Sequence, residues 1–180
     1  MRKNLLRWET VGALFVCAAG TLLHFLYGLS GENKIVAAFS SVNESTWEHM
    51  KIFFMPYFVF TMVQFVVFAE PFRNFFACKG VSAAVGLALI PVLFYTIVGA
   101  VGETPDWVNI AIFYVAAALT YLLSYRLLTR GALRSGWAQI AGFLLLWLLL
   151  FAFVYLTYRT PQFPIFRDPV THCYGLGRTC

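Results

Sequence analysis

The sequence predicts an all-α polytopic membrane protein, a helical bundle with about five transmembrane helices. Of its 180 residues, 61% are hydrophobic and only 12% are charged, so polar side chains are too few to cover a water-soluble domain. Five windows reach the length of about twenty mostly apolar residues that crosses hydrocarbon as a helix. These long runs, rich in Leu, Ala and Phe, favour helices over a barrel, whose shorter strands alternate polar and apolar residues.

Each predicted span follows from an apolar run, and together they form a single membrane domain covering residues 1–180. The spans lie near residues 8–29, 52–70, 81–101, 107–127 and 137–158, followed by a tail, 159–180. Basic residues precede the first run, as in a signal peptide. The run is too long for one and has no small-residue cleavage site, so we expect this helix to stay in the protein.

The basic residues predict the orientation of the bundle. They cluster before the first span, between the second and third, and between the fourth and fifth: Arg2, Lys3, Arg7, Arg73, Lys79, Arg126, Arg130 and Arg134. By the positive-inside rule the N-terminus is cytoplasmic and the tail external. Because no basic stripe with stacking residues lies outside the spans, we expect the lipid bilayer as a partner and no nucleic acid.

Residues 42–51 carry an unusual concentration of ionisable groups: two carboxylates, an imidazole and an ammonium. They adjoin the apolar run 52–60, so each charge lies at the edge of hydrocarbon and needs a partner or water. Ser41 followed three residues later by Glu44 matches a capping box. This pattern predicts a helix that begins at about residue 42 and continues into the second span.

On such a helix the ionisable side chains divide between two directions. Glu44, Glu48 and Lys51 fall on one stripe, whereas His49 lies about 100° away. We therefore expect Glu48 to pair with Lys51. Glu44 is then left without a counter-charge, and His49 faces a different helix.

The first span offers a neighbour for this polar segment. A stripe of small residues at spacings of three and four, typical of closely packed membrane helices, includes one histidine: Ala13, Cys17, Gly20, His24 and Gly28. We expect His24 to face protein in the outer half of the membrane, near the polar segment. The alternative is that these polar groups only link helices or anchor them at the headgroups.

The residue types suggest two kinds of chemistry at this place. Glu44, Glu48 and His49 are the candidate catalytic acid and base groups. Two imidazoles and a carboxylate, from His24, His49 and Glu48, suit zinc or another divalent metal ion. The candidate ligand-binding residues are His24, Asn43, Lys51 and Asp168. Familiar catalytic motifs are lacking, so the sequence leaves open whether the protein is an enzyme.

The tail contains prolines, aromatic residues and one acid, Asp168. We expect it to fold back over the external end of the bundle, which brings Asp168 toward the polar segment. Cys173 and Cys180 are separated by glycines and can form a disulfide there, whereas Cys17 and Cys78 are expected to be ordinary thiols.

Three strings of residues resemble a family of small bacterial integral membrane proteins of unknown function. They are His24-Phe25-Leu26-Tyr27 with Ser30-Gly31, then Val42-Asn43-Glu44-Ser45-x-Trp47-Glu48-His49-x-Lys51 with Pro56, and Phe166-x-Asp168-Pro169 with Tyr174-Gly175. The resemblance implies a five-span protein of the bacterial cytoplasmic (inner) membrane and highlights His24, Asn43, Glu44, Glu48, His49, Lys51 and Asp168. The family pattern has Gly-Thr where this chain has His172-Cys173, so any disulfide at Cys173 is particular to this chain.

The favoured hypothesis is a polar pocket at the extracytoplasmic end that binds, and can transform, a lipid or another membrane-partitioning small molecule, with a divalent metal as a possible cofactor. Two alternatives stay open: a transporter of small solutes or ions with an outward-facing site, and a non-catalytic membrane subunit or assembly factor. The third to fifth spans lack ionisable residues well inside them, which favours binding at the external leaflet over transport. The oligomeric state is not predicted.

Overall fold

The computed structural model describes residues 2–68, 72–102 and 105–176, and it confirms the predicted all-α bundle. The helices are α1 (Arg2–Leu29), α2 (Lys34–Ala37), α3 (Thr46–Phe68), α4 (Phe75–Val101), α5 (Asp106–Arg130) and α6 (Gly136–Tyr158), followed by a short 3-10 helix, Pro164–Phe166. Helices α1, α3, α4, α5 and α6 are long and apolar enough to cross a membrane, as predicted.

Helices α1, α3 and α4 begin about six residues before the predicted spans 8–29, 52–70 and 81–101. Polar residues that looked like loop residues are helical and buried. Lys79 is the clearest case: it lies in the second turn of α4 with no exposed surface, instead of in a cytoplasmic loop.

Helix α3 is the central helix of the bundle. It packs against α1, α4, α5 and α6, and it has the largest buried share of the five long helices. Its aromatic residues Phe53, Phe54 and Tyr57 have no exposed surface and form the middle of the apolar core. The other long helices direct many large apolar side chains outward, as expected for surfaces that face lipid.

Glycines allow two close approaches between helices. A Cβ added to Gly80 would lie 3.0 Å from the Cα of Gly142, so the backbones of α4 and α6 touch there. A Cβ on Gly20 would lie 3.0 Å from the carbonyl oxygen of Ile52 in α3. The predicted stripe of small residues therefore packs at Gly20 but not at Gly28, which has no atom within 4 Å of its Cβ position.

The tail covers one end of the bundle, as predicted. Phe166 packs against Trp47 near the start of α3, with ring centroids 4.7 Å apart and the rings tilted by 38°. The Asn43 side-chain amide donates a hydrogen bond of 2.8 Å to the carbonyl of Gly175. We call this the tail end of the bundle and the opposite end the N-terminal end. That the tail end faces outward stays a prediction.

Candidate metal-binding site

The segment before α3 is a loop, so the predicted helix start near residue 42 was wrong. Ser45, not Ser41, caps the helix: its hydroxyl oxygen accepts a 3.4 Å hydrogen bond from the Glu48 N–H. The Asn43 side-chain oxygen accepts a 2.9 Å hydrogen bond from the Ser45 N–H and turns the chain into α3. Ser45 and Glu48 have the same spacing as Ser41 and Glu44. Because the chain turns at Asn43, the helix begins at the later of these two serine–glutamate pairs.

Because Glu44 lies outside the helix, it does not share a stripe with Glu48. Its Oε2 atom is 3.3 Å from Nε2 of His24 and 3.7 Å from Nε2 of His49. The expectation that Glu44 lacks a counter-charge was therefore wrong. The carboxylate lies between two imidazoles, one from α1 and one from α3.

His24, Glu44 and His49 form a compact cluster, which we call the His/Glu site. One ligand atom from each lies within 4.8 Å of the other two, and the imidazole centroids are 5.3 Å apart. The Glu44 side chain is 46% exposed, so solution reaches the cluster. The predicted convergence of His24 with the polar segment is confirmed.

A hydrogen bond determines which nitrogen of His49 is available. Nδ1 lies 2.9 Å from the carbonyl oxygen of Ser45. A carbonyl can only accept, so Nδ1 carries the proton and the neutral ring directs the lone pair of Nε2 toward Glu44. A backbone hydrogen bond to the second ring nitrogen is the usual support for a metal-binding histidine.

The electrostatics of the site favour an ionised Glu44. The hydrogen bond from His24 lowers the pKa of Glu44, and the positive charges that His24 and His49 can carry lower it further, against the opposing effect of partial burial. Near neutral pH the site therefore offers an anionic oxygen between two imidazole nitrogens.

The predicted pair of Glu48 and Lys51 is confirmed, with 2.6 Å between Oε2 and Nζ and almost no exposed surface on either side chain. Lys51 also donates to the carbonyl of Ala37 at 2.9 Å and to the hydroxyl of Thr157 at 2.8 Å. Glu48 accepts a 3.0 Å hydrogen bond from the N–H of Val42. This pair ties α2, α6 and the loop that carries Glu44 to α3.

Two residues predicted for ligand contact form hydrogen bonds outside the His/Glu site, although Asp168 also interacts electrostatically with His49. The carboxylate of Asp168 accepts hydrogen bonds of 2.8 Å from the Val170 N–H and from the Thr171 hydroxyl, which closes a turn within the tail. Asn43, as described above, connects the loop to the tail. In the predicted metal set, Glu48 turns toward Lys51, and Glu44 is the carboxylate beside the imidazoles.

The cysteines agree with the expectations where they are described. Cys17 and Cys78 are free thiols, and Cys173 is disulfide-bonded. The predicted partner, Cys180, lies outside the described residues.

Sequence reasoning missed a second polar cluster toward the N-terminal end. Glu9 of α1 accepts hydrogen bonds from Lys79 at 2.7 and 2.9 Å and from the Gln64 amide at 2.8 Å. The signal was present: an acid at position 9 and a lysine at position 79 adjoin apolar runs at the same predicted side of the membrane.

The chain was compared with known protein families, curated proteins and solved structures. A family model matches residues 1–176, and its family is described as one of unknown function (DUF6512). Neither a curated protein nor a solved structure matches the chain significantly.

Proposed function

The chain belongs to DUF6512, a family of unknown function, and we propose that this multi-pass membrane protein binds a divalent metal ion, zinc being the best chemical match, at His24, Glu44 and His49. The metal would hold and polarise an oxygen atom of a lipid or another membrane-partitioning molecule at the tail end. By the positive-inside rule, this end is extracytoplasmic.

One observation carries the proposal: three metal-ligating groups from three separate parts of the chain converge within 4.8 Å. Contacts around the site support this convergence. The Ser45 carbonyl orients the His49 ring, and Glu48, paired with Lys51, holds the loop of Glu44 through the N–H of Val42. A chance group of surface side chains would have no such support.

The donor set favours zinc among the common divalent ions. Imidazole nitrogen with one carboxylate oxygen is a donor set of catalytic zinc sites, in which three protein ligands leave a fourth position for water or substrate. Hard ions such as calcium and magnesium prefer oxygen ligands only. The exposure of Glu44 is consistent with such an open position.

The surroundings support a substrate from the membrane interface. Exposed apolar side chains lie close in sequence to the site, among them Phe25, Leu29 and Ile35. At the end of a spanning helix, such residues rest in the boundary between acyl chains and headgroups. A metal held by His24, Glu44 and His49 would lie near this boundary, where it could supply Lewis-acid activation of a lipid ester or phosphate toward hydrolysis.

The experiment is a zinc titration of the purified, metal-stripped protein by calorimetry. We expect one zinc ion per chain and a loss of affinity of at least about a hundredfold in His49→Ala, since changes to supporting residues alone cost about 10–100-fold. His172→Ala is the matched control, because His172 is exposed in the tail. Equal affinities in both variants, or no stoichiometric binding, would refute the proposal.

Turnover separates an enzyme from a binding protein. Zinc-loaded protein in liposomes containing ester- and phosphate-linked lipids is followed for headgroup or acyl release, with Glu44→Gln as the comparison. Zinc-dependent release that Glu44→Gln abolishes supports catalysis, whereas zinc binding without release in the wild type restricts the role to ligand binding.

A further inference from the structure

Asn109 is a polar side chain near the tail end of α5 that neither the fold nor the proposed metal ligands account for. Its side-chain oxygen, Oδ1, is buried and has no hydrogen-bond partner within residues 2–68, 72–102 and 105–176. A buried polar atom without a partner is unfavourable, and in proteins such an atom usually bonds to internal water or to a ligand. The surroundings of this oxygen therefore indicate its role.

A local role at the start of the helix does not explain Asn109. Asparagine is a poor residue for helix interiors and is favoured as an N-cap, where its oxygen accepts backbone N–H groups. The N-cap of α5 is Pro105, four residues before Asn109. Asn109 thus lies past the capping position, and its Oδ1 is available to a group outside α5.

Three helices meet in one layer next to the His/Glu site. A Cβ added to Gly20 of α1 would collide with the ring of Phe113 of α5, and it would lie 3.0 Å from the carbonyl oxygen of Ile52 of α3. The Phe113 ring also packs edge-on against Phe53 of α3, with ring centroids 6.0 Å apart. Gly20, Ile52 and Phe113 are therefore at one level of the bundle.

One helical turn from this layer toward the tail end, each of the three helices carries one polar residue. They are His24 of α1, His49 of α3 and Asn109 of α5, which lie four, three and four residues from the members of the layer. At about 1.5 Å per residue these steps are about 4.5–6 Å along the helices. Asn109 is therefore at the level of the two imidazoles.

Asn109 also lies on the face of α5 that packs against α1 and α3. Residues four apart on a helix point in nearly the same direction, so Asn109 and Phe113 share a face. Tyr121 continues this face, because its ring would meet a Cβ on Gly12 of α1 and lies 5.4 Å from the ring of Tyr57 of α3 between centroids. The packing of α5 on both neighbours thus directs Asn109 toward the helices that carry the histidines.

Resting on the metal binding proposed above, we propose that Asn109 is a positioning residue of the His/Glu site, whose Oδ1 accepts a hydrogen bond from an O–H group bound to the metal. Three protein ligands leave a fourth position of zinc open, and an O–H group held there is a strong donor because the metal polarises its oxygen. The amide oxygen accepts this bond without adding charge. The O–H group belongs to water or to a hydroxyl of a lipid headgroup.

A purely structural role is the competing interpretation, in which Oδ1 bonds an internal water that has no connection with a metal. Replacing Asn109 would then change the stability of the metal-free and the metal-bound protein alike. In the proposed role, the amide contributes only when the metal is present. The two interpretations therefore differ in whether zinc changes the effect of a substitution.

The experiment is calorimetric zinc titration of metal-stripped protein in phosphatidylcholine micelles, with three variants. Asn109→Leu has a similar size and no acceptor, and we expect its zinc affinity to fall by about 10–100-fold. Asn109→Asp keeps an acceptor oxygen and adds a negative charge near the cation, so its affinity should equal or exceed that of the wild type. Tyr114→Phe is the matched control, because it removes a hydroxyl that contacts Thr21 of α1 at 3.1 Å; its affinity should be unchanged.

Unfolding temperatures of the same proteins separate the proposed role from a structural one. Without metal, we expect Asn109→Leu to equal or exceed the wild type in Tm, because it removes a buried oxygen without a partner. Asn109→Asp should unfold at a lower temperature, because it places a second carboxylate near Glu44. Excess zinc should raise Tm least in Asn109→Leu and most in Asn109→Asp. A Tm that is lowered equally in Asn109→Leu with and without zinc would overturn the proposal.

NMR of the side-chain amides tests the hydrogen bond in the wild type and does not require Asn109→Leu to fold. In protein labelled with 15N-asparagine, the Asn109 signal is identified by its loss in Asn109→Asp. We expect zinc to shift this signal and to leave that of Asn74 unchanged, since Asn74 donates to the carbonyls of Leu127 and Ala132 at the N-terminal end.

The results distinguish a failure of this inference from a failure of the metal site. A wild type that binds no stoichiometric zinc refutes the metal site and, with it, the role of Asn109. If zinc binds and His49→Ala abolishes the binding, an unchanged affinity in Asn109→Leu or an Asn109 signal that zinc does not shift overturns this inference alone.

The same titration in phosphatidylglycerol micelles identifies the source of the O–H group. An equal loss of affinity in Asn109→Leu with choline and glycerol headgroups indicates water, because choline has no hydroxyl. A larger loss with glycerol headgroups indicates the lipid hydroxyl. Either result supports the acceptor role of Asn109.

Discussion

At the scale of single residues, the two glutamates of the polar segment have different tasks although they are four residues apart. Glu48 is buried against Lys51 and holds the N–H of Val42, whereas Glu44 is half-exposed between His24 and His49. A charge that is removed from water needs close partners, so the carboxylate of Glu48 is used to hold α3 and the preceding loop together. Glu44 keeps an oxygen available to a ligand.

Lys51→Met is predicted to weaken zinc binding without removing a ligand. It leaves Glu48 buried and unpaired, which costs about 3–5 kcal/mol of stability. It also frees the loop that carries Glu44, so we expect zinc affinity to fall by about 10–100-fold. Thermal unfolding and calorimetric titration measure the two effects separately.

The double variant Glu48→Leu with Lys51→Met is the control for this prediction. It removes both buried charges and is expected to recover much of the stability, but the N–H of Val42 still lacks its acceptor. Affinity that returns together with stability would contradict a positioning role for the pair.

Glu44 gives the metal-free protein a predicted pH dependence. Because the pKa of Glu44 is lowered in the folded state, the interaction with His24 stabilises the fold above the usual carboxyl pKa and is lost as the pH falls through the lowered value. Glu44→Gln should therefore lower Tm at neutral pH and leave it unchanged in acid. The difference is small and salt-sensitive, because the group is half-exposed.

Measuring Tm of wild type and Glu44→Gln in the presence of a chelator, from neutral pH down to about pH 3, tests the predicted direction of the Tm difference. Glu32→Gln serves as the comparison, since Glu32 is exposed. A Tm difference for Glu44→Gln that grows as the pH falls would contradict the assignment.

At the scale of elements, the helices are held by close backbone contacts as well as by apolar side chains. In hydrocarbon the hydrophobic effect between helices is weak, so van der Waals packing at small residues contributes more. Helices α4 and α6 touch at Gly80 and Gly142, where a Cβ on Gly142 would collide with the backbone at Phe76.

Gly142→Ala is predicted to destabilise the bundle by about 1–3 kcal/mol through overpacking. Gly99→Ala is the matched control, because a Cβ at this position of α4 meets nothing within 4 Å. We expect it to be neutral or stabilising by up to about 1 kcal/mol. Reversible unfolding in mixed micelles measures both, and equal effects would show that the contact of α4 with α6 does not limit stability.

The sequence predicts the helices well and their polar beginnings poorly, for a physical reason. Hydropathy treats Lys79 as the end of a span, but a buried lysine with a carboxylate partner continues the helix. The two serine–glutamate spacings are equivalent in sequence, so only the turn made by Asn43 reveals that Ser45 is the cap. That turn decides which glutamate faces the imidazoles: the structure has Glu44 there, whereas the predicted metal set contains Glu48.

At the scale of the whole molecule, two polar sites occupy opposite halves of one bundle. His49 and Gln64 are about 22 Å apart along α3 at about 1.5 Å per residue, and the apolar core around Phe53 and Phe54 lies between them. The sequence alone indicated the site at the tail end, where the charges are close together along the chain. The cluster of Glu9, Gln64 and Lys79 joins residues from three helices and becomes visible only in three dimensions.

If all five long helices cross the membrane, the segment before α1 and the tail lie on opposite sides of it. In a variant with its native cysteines replaced by serine, a membrane-impermeant thiol reagent applied to intact cells should label Val170→Cys in the tail and not Arg7→Cys. Labelling of both before the cells are broken would contradict an odd number of spans, and the reverse pattern would invert the predicted orientation.

X-ray absorption spectroscopy of the zinc-loaded protein tests the metal site most directly. The account predicts a first shell of nitrogen and oxygen atoms at about 2.0–2.2 Å, with multiple scattering from two imidazoles and no sulfur at about 2.3 Å. It also predicts that the signature of one imidazole is lost in His49→Ala. A sulfur ligand, or a spectrum identical in wild type and His49→Ala, would contradict zinc binding at His24, Glu44 and His49.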